Sequence, residues 1–229
     1  MDLATLARIN EARAARRAVL LATNLASSAQ ILVDEEQAAP AYLAEACEKA
    51  FRQGKSGTVE TPHGDTFLNV FVPPPRLLII GAVHISQALY PMARAAGFDV
   101  TIIDPRTAFA TPQRFPDVTL LPEWPDKVLP DIGIDRYTAI ATLTHDPKVD
   151  DPALIAALRS KSFYVGALGS RKTHAKRVAR LREAGFGEQD FVRIQAPIGL
   201  DIGAVSPAEI AVAVLAQVIA ALRLPQEAS

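Results

Sequence analysis

From residue 76 onward, short and mostly continuous apolar runs alternate with stretches of helical periodicity, and this alternation limits the folds open to the chain. The apolar runs lie at residues 77–80, 100–104, 118–121, 138–143, 163–166 and 192–195. An apolar run without polar residues at alternate positions predicts a strand covered on both faces, as in parallel sheets flanked by helices. We therefore predict a Rossmann-like α/β fold with a doubly wound, mostly parallel sheet.

Three consecutive prolines, Pro73, Pro74 and Pro75, precede this region. Proline donates no hydrogen bond to a sheet and cannot continue a helix interior, so the run predicts a linker or the exit from an edge strand. The residues before it contain a polar helical stretch, short apolar runs and a second helical stretch. We predict a small α+β domain over residues 1–72 and the Rossmann-like domain over residues 76–229.

Charge and cysteine content exclude several classes of function. The 24 basic and 25 acidic side chains give a net charge of -1, so no global attraction to nucleic acid or anionic lipid is expected. The single cysteine, Cys47, excludes an internal disulfide and fits a reducing compartment. No secretory signal is recognisable, and the most apolar stretch, residues 210–222, is too short for a membrane span. We expect a cytoplasmic protein.

The first candidate binding site is the glycine turn that follows the apolar run at residues 77–80. A strand, a glycine turn and a helix in this order place pyrophosphate on helix amides in dinucleotide folds, so Gly81 and His84 are candidate cofactor contacts. Val83, however, stands where the G-x-G-x-x-G motif has its second glycine. Asp104 has the spacing of a ribose-binding acid and Arg106 follows it, but a turn that ends a strand explains Asp104 equally well.

The second candidate is an anion site where a helix begins. Gly169, Ser170, Arg171 and Lys172 combine free amides, a hydroxyl and two cations at a helix start. Four further basic residues follow on the same helix, and a solvated face is the commoner fate of such a run. They are Lys176, Arg177, Arg180 and Arg182.

A third set of candidates lies in loops at the expected carboxyl ends of strands. Asp201 and Gly203 belong to an apolar loop, where Asp201 either contacts a ligand or bonds to loop amides. His145 is placed to contact a ligand, although a lone histidine is more often structural. The four histidines have no metal-binding spacing, and no set of acid, base and nucleophile defines a reaction. We assign no metal site and no catalytic residue.

Four segments, taken in order, resemble one protein family. They are LLIIGAVHISQAL at residues 77–89, DPR at 104–106, GALGSRKTH at 166–174 and APIGLDIGAVSPAEI at 196–210. Over residues 74–222 the chain resembles the xanthine dehydrogenase accessory family, XdhC/CoxI. The resemblance implies an accessory factor that is not itself an enzyme. Such a factor binds molybdenum cofactor, as molybdopterin or its dinucleotide, and delivers it to a molybdenum hydroxylase such as xanthine or carbon monoxide dehydrogenase.

The resemblance also implies contacts and partners. Residues 169–172 would hold the pterin phosphate, and Asp201 would contact the pterin. A homodimer is implied, with a cysteine desulfurase or a second accessory protein as a further partner. The chain departs from the family at Val83, where a glycine is usual, and in an N-terminal region without the usual glycine-rich segments. Two alternatives therefore stay open: a ligand-free scaffold in hydroxylase maturation, and an NAD(P)-dependent oxidoreductase, which Val83 disfavours.

Overall fold

The computed structural model describes residues 2–224, which form two units divided between Pro73 and Pro74. The division falls within the run of three prolines. Residues 225–229, the end of the predicted Rossmann-like domain, lie outside the described residues.

The first unit combines a four-stranded antiparallel sheet with helices. Its elements are α1 (Leu3–Ala14), β1 (Val19–Asn24), β2 (Gln30–Asp34), α2 (Ala44–Gln53), β3 (Gly57–Val59) and β4 (Thr66–Phe71). The strand order is β2-β1-β4-β3, and every neighbouring pair is antiparallel. The central strand β1 is buried over residues 19–22, as expected for a strand with neighbours on both sides. The predicted combination of helices and strands in this region is confirmed.

The second unit is built around a six-stranded sheet in which every neighbouring pair is parallel. Its elements are β5 (Arg76–Ile80), α3 (His84–Ala95), β6 (Asp99–Ile103), β7 (Thr119–Leu121), α4 (Pro125–Ile132), β8 (Thr138–Thr142), α5 (Pro147–Leu158), β9 (Tyr164–Ala167), α6 (Arg171–Glu183), α7 (Glu188–Phe191), β10 (Ile194–Gln195) and α8 (Pro207–Arg223). This architecture confirms the predicted Rossmann-like fold.

Strand β5 shows why its apolar run is continuous. Leu77 and Ile79 belong to a core cluster that also contains residues of α3 and α8, whereas Leu78 and Ile80 belong to a second cluster with residues of α5. Successive side chains of a strand point to opposite faces, so a strand covered on both faces needs apolar residues at every position. Burial of each such side chain contributes about 1.5–3 kcal/mol.

The order of the strands defines where a ligand would enter. The sheet order is β10-β9-β8-β5-β6-β7, so the chain moves outward from β5 on one side and returns to β8 on the other. In open α/β sheets, ligands bind outside the carboxyl ends of the strands at such a reversal. The turns that follow β5, β6, β8 and β9 therefore surround the expected binding region.

Candidate functional site

The first turn after β5 joins the ends of neighbouring strands. Gly81 has a φ of 119°, and a Cβ added there would lie 2.7 Å from Cγ2 of Thr144, just after β8. The N–H of Ala82 donates to Oδ2 of Asp104 at 2.7 Å, and the Ser86 hydroxyl donates to the Gly81 carbonyl at 2.5 Å. The backbone conformation and the close approach of Thr144 together require glycine at this position.

Asp104 is fully buried at the end of β6, and protein donors occupy both of its oxygens. Oδ1 accepts from the N–H and Nε of Arg106 at 2.9 Å, and Oδ2 accepts from Nη2 of Arg106 and the N–H of Ala82 at 2.7 Å. Burial raises the pKa of Asp104, but these hydrogen bonds outweigh burial and hold the pKa below its ordinary value. Four donors leave no free lone pair for a ribose hydroxyl, so the geometry favours a structural role for Asp104.

Two arginines beside the first turn differ in their hydrogen-bond partners. Arg106 is held by Asp104 and its side chain is 33% exposed. Arg114 donates to the carbonyl of Ala82 at 3.0 Å and to Oε1 of Gln87 at 3.0 Å, which fastens the segment after β6 onto the start of α3. Both side chains are partly exposed, but both terminal nitrogens of Arg114 donate to protein groups, whereas Arg106 donates to Asp104 through Nε and Nη2.

A buried carboxyl that was not among the predicted site residues lies beside the end of β8. Asp150 on α5 accepts from the Thr144 hydroxyl at 2.7 Å and from the N–H of His145 at 3.0 Å. Burial raises the pKa of Asp150 to about 6. His145 has a φ of 66° and is only partly covered, and partial desolvation of its ring together with the charge of Arg177 lowers its pKa. Asp150 thus fixes the turn in which His145 lies.

Helix α6 begins in the way that its sequence predicted. The Ser170 hydroxyl accepts from the N–H of Thr173 at 3.2 Å and lies 3.1 Å from the Thr173 hydroxyl. Gly169 has a φ of 132°, and a Cβ there would lie 3.0 Å from Cγ2 of Thr173. The hydroxyl of Ser170 therefore caps the helix, and Arg171 is exposed.

A cavity of 270 Å³ lies between α5 and α6, beside the carboxyl end of β8. Charged side chains dominate its wall. The lining residues are His145, Pro147, Asp150, Asp151, Lys172, Thr173, Lys176, Arg177 and Arg180. We refer to this space as the α5–α6 cavity.

Arg177 is the most unusual residue of the cavity wall because only 2% of it is exposed. Its Nη2 donates to the carbonyl of Leu168 at 2.8 Å, but Nε and Nη1 are buried without a hydrogen-bond partner. Nδ1 of His174 has the same status, and these are the three such side-chain atoms identified in residues 2–224. A buried donor without an acceptor costs about 1–3 kcal/mol. The prediction that Arg177 belongs to a solvated basic face is wrong.

The charges of the α5–α6 cavity do not cancel. Asp151 is paired with Arg180, at 2.5 Å to Nε and 3.0 Å to Nη2. Lys172 and Lys176 form no ion pair with the described part of the chain, and both are exposed. Burial lowers the pKa of Arg177, although its two acidic neighbours oppose this shift. The cavity therefore has more positive than negative charge and suits an anionic group.

The loop before α8 lies apart from this cavity lining. Asp201 is exposed and no hydrogen bond joins its carboxylate to the described residues. Gly203 has a φ of 73° and open space around it. The loop is anchored behind Asp201, where Oε1 of Gln217 accepts from the N–H of Gly199 at 2.8 Å and from the Tyr164 hydroxyl at 2.6 Å.

The predicted site residues thus fall into three groups. His145 and Lys172 line the α5–α6 cavity. The second group surrounds the first turn and consists of Gly81, His84, Asp104 and Arg106. The remaining residues form the start of α6 or lie on the exposed loop: Gly169, Ser170, Arg171, Asp201 and Gly203. Asp150 and Arg177, which define the cavity chemically, were not predicted.

Residues 2–224 contain neither a candidate metal site nor a candidate membrane helix. No group of three or more histidine, cysteine, aspartate or glutamate side chains in this range is placed to hold a metal ion. No described helix has both the length and the apolar character needed to cross a membrane.

Comparison with known families gives a match that covers most of the second unit. Residues 77–218 match the family described as the XdhC Rossmann domain. A molybdenum cofactor insertion chaperone of Escherichia coli, PaoD, is 36% identical over 157 residues, which are 69% of this chain and 43% of PaoD. A Bacillus subtilis protein named as a probable xanthine dehydrogenase subunit is 32% identical over 167 residues, covering 71% of this chain and 48% of that protein. The chain spans less than half the length of these curated relatives.

One solved structure shares the fold along the whole chain. It is a xanthine dehydrogenase of Bacillus halodurans, with a TM-score of 0.66 and 24% identity, and the match covers 100% of this chain and 67% of that one. At this identity the likeness shows the fold.

Proposed function

The chain belongs to the XdhC family, and from that premise we propose that it binds molybdenum cofactor and delivers it to a molybdenum hydroxylase of the xanthine or carbon monoxide dehydrogenase type. The cofactor is cargo in this proposal, so the protein acts by binding and release rather than by catalysis. The relative that is named as an insertion chaperone supports this class of activity. The Bacillus subtilis relative, through its xanthine dehydrogenase name, supports the type of client.

The observation that carries the proposal is the buried Arg177 at the wall of a cationic cavity. Two of its nitrogens have no acceptor, and a fold gains nothing by burying a guanidinium in that state. Molybdenum cofactor is a pterin that ends in phosphate, and phosphate oxygens are strong acceptors for arginine. The cavity also lies beside β8, next to the reversal of strand order where ligands of this fold bind.

Asp104 and Arg106, beside the first turn, lie at the same edge of the sheet as the α5–α6 cavity. Asp104 holds the Arg106 guanidinium in one orientation through two side-chain hydrogen bonds. An oriented cation loses less conformational entropy on binding than a free one. We assign Arg106 to the part of the cofactor that lies outside the α5–α6 cavity, and His84 and Asp201 remain proposed contacts on the exposed rim.

The same geometry weighs against a nicotinamide nucleotide. All four acceptor positions of Asp104 are used by protein donors, and Val83 stands where the dinucleotide motif needs glycine. A scaffold without ligand is disfavoured for another reason, because it gives the unpartnered nitrogens of Arg177 no acceptor.

Equilibrium binding under anaerobic conditions tests the proposal. The purified chain is titrated with molybdopterin and, in parallel, with its dinucleotide, while NADH and NADPH serve as competitors. We expect a Kd in the micromolar range or below and no competition from the nicotinamides. Binding of a nicotinamide alone would replace the proposal by the oxidoreductase, and binding of none of these ligands would support the scaffold.

Delivery needs a separate measurement. The loaded chain is mixed with a cofactor-free molybdenum hydroxylase, and recovery of hydroxylase activity is followed over time. Recovery should exceed that obtained with free cofactor at the same concentration. Equal recovery with the loaded chain and with free cofactor would mean that the chain binds the cofactor but does not deliver it.

We also propose that the protein works in the cytoplasm as a homodimer, with a cysteine desulfurase or a second accessory protein as a further partner. Light scattering after size exclusion measures the oligomeric state. A monomeric mass at micromolar concentration would remove the dimer from the proposal.

A further inference from the structure

We infer that the α5–α6 cavity is a site for the dianion of a phosphate monoester, and that the chain therefore selects molybdopterin over its dinucleotide. The identity of the pterin rests on the proposed function, whereas the preference for a monoester rests on the charges, donors and size of the cavity.

The first argument is a balance of charge. Arg180 is neutralised by Asp151, which leaves Lys172, Lys176 and Arg177 as the cations of the wall. Asp150 is the carboxyl that remains, so the wall has an excess of about two positive charges when Asp150 is ionised. A phosphate monoester has a charge of about −1.5 to −2 at neutral pH. Each phosphate of the pyrophosphate in a dinucleotide has one charge, so a dinucleotide compensates this excess only if both of its phosphates enter the cavity.

The second argument concerns hydrogen-bond donors. Nε and Nη1 of Arg177 lack acceptors, and the ammonium groups of Lys172 and Lys176 are further donors of the same wall. A terminal phosphate presents three strong acceptor oxygens on one phosphorus, whereas each phosphate of a pyrophosphate presents two non-bridging oxygens. A terminal phosphate therefore brings more acceptors into the cavity than one phosphate of a dinucleotide does.

The third argument is the volume of the space. Sites that enclose a whole small molecule usually measure about 300–1,000 Å³. The α5–α6 cavity measures 270 Å³, so it accommodates one end of a ligand. A terminal phosphate is such an end, while the pyrophosphate of a dinucleotide has a bulky group on both sides.

Binding of small probes tests the preference for a monoester. The full chain, labelled with ¹⁵N, is titrated at low ionic strength and pH 7.5 with methyl phosphate and with dimethyl phosphate. We expect the monoester to bind at least tenfold more tightly, with the largest amide shifts in α5 and α6. Equal affinity for the two probes, or shifts centred on residues 81–84, would overturn the inference.

Variants distinguish binding of an anion in the cavity from its general attraction to the positive charges of the protein. Lys172→Ala combined with Lys176→Ala changes exposed side chains, so the fold should be retained, and we expect at least a tenfold weaker affinity for methyl phosphate. The control, Lys49→Ala combined with Lys127→Ala, removes the same charge from α2 and α4 and should change the affinity less than twofold. A third variant, Arg171→Ala, tests the start of α6. An effect of Arg171→Ala without an effect of the Lys172 and Lys176 pair would move the anion to the helix terminus and overturn the inference.

Titration with the two cofactor forms distinguishes this inference from the proposed function. The inference requires molybdopterin to bind at least tenfold more tightly than the dinucleotide, and methyl phosphate to compete with it. Equal or tighter binding of the dinucleotide would refute the inference and leave the proposed function intact. Binding of methyl phosphate in the cavity without binding of either cofactor form would retain the anion site and refute the proposed function.

Discussion

The first turn and the α5–α6 cavity lie at the same edge of one sheet, but their polar groups are in opposite states. At the first turn, Asp104 accepts four hydrogen bonds. At the cavity, two nitrogens of Arg177 lack partners, and burial raises the pKa of Asp150 to about 6. The polar groups of the turn that resembles a dinucleotide motif therefore have partners within the protein, whereas two buried donors of the cavity wall do not.

The largest expected loss of stability follows from a substitution at the first turn. Asp104→Ala leaves the Arg106 guanidinium and the Ala82 N–H without their buried acceptor. Removal of one partner from a buried ion pair costs about 3–5 kcal/mol, and partial exposure of Arg106 places this pair near the lower end. Urea denaturation measures the loss. A loss below about 1 kcal/mol would mean that the first turn is not held by this carboxylate.

A pH series sharpens the comparison at Asp150. Its folded pKa of about 6 lies above the ordinary value of 3.8, so the contribution to stability is fully present below pH 3.8 and is lost as pH rises through 6. The shift corresponds to about 3 kcal/mol. The free energy of unfolding of the wild type, relative to Asp150→Asn, should therefore fall by about that amount between pH 3 and pH 7. A constant difference across this range contradicts the raised pKa.

Two matched substitutions test whether removal of an arginine lowers the free energy of unfolding at the first turn but not at the cavity. Arg114→Met removes hydrogen bonds to Ala82 and Gln87 and should destabilise the protein by about 1–3 kcal/mol. Arg177→Met removes a buried cation with two unpartnered nitrogens but also its hydrogen bond to the Leu168 carbonyl, so it should leave the free energy of unfolding unchanged or raise it by about 1 kcal/mol.

Thermal denaturation of both variants, with cofactor binding measured beside it, decides the outcome. Arg177→Met should abolish detectable cofactor binding, and Arg114→Met should retain binding below its Tm. Equal destabilisation by the two substitutions would show that the regions do not differ as the hydrogen bonds indicate.

The smallest effect on stability is expected on the exposed loop. Asp201→Asn removes a charge that bonds to no described residue, so the free energy of unfolding should change by less than about 0.5 kcal/mol. If Asp201 contacts the pterin, the Kd for cofactor rises about tenfold in the same variant. An unchanged Kd would confine the binding site to the sheet edge and the cavity.

The sequence predicted the sheet more completely than the site, for physical reasons. The continuous apolar run at residues 77–80, bounded by Gly81 at the turn that follows it, indicated a strand covered on both faces. Asp104 was correctly placed at a strand end, but its spacing could not reveal that Arg106 and Ala82 would occupy its oxygens. Hydrogen-bond satisfaction depends on groups brought together by folding, so spacing does not determine it.

Arg177 and Asp150 did leave a signal in the sequence. Arg177 lies four residues before the buried Leu181, and Asp150 lies four residues before the buried Leu154, so each charge falls on the core-facing side of its helix. The run of basic residues in α6 suggested solvation for all of them. A charged residue at a core-facing position is the better indicator, because burial of a charge is retained only where something compensates it.

The arrangement of cations in the α5–α6 cavity has a consequence for the rates at which an anion would bind and leave. Lys172 and Lys176 are exposed at the surface, while Arg177 is buried behind them. Exposed charges chiefly set how fast an anion arrives, and desolvated contacts chiefly set how long it stays. The proposed function requires both loading and unloading, and at the proposed anion site we expect different side chains to control these two rates. Residence time can therefore change through Arg177 and its surroundings while the speed of capture stays the same.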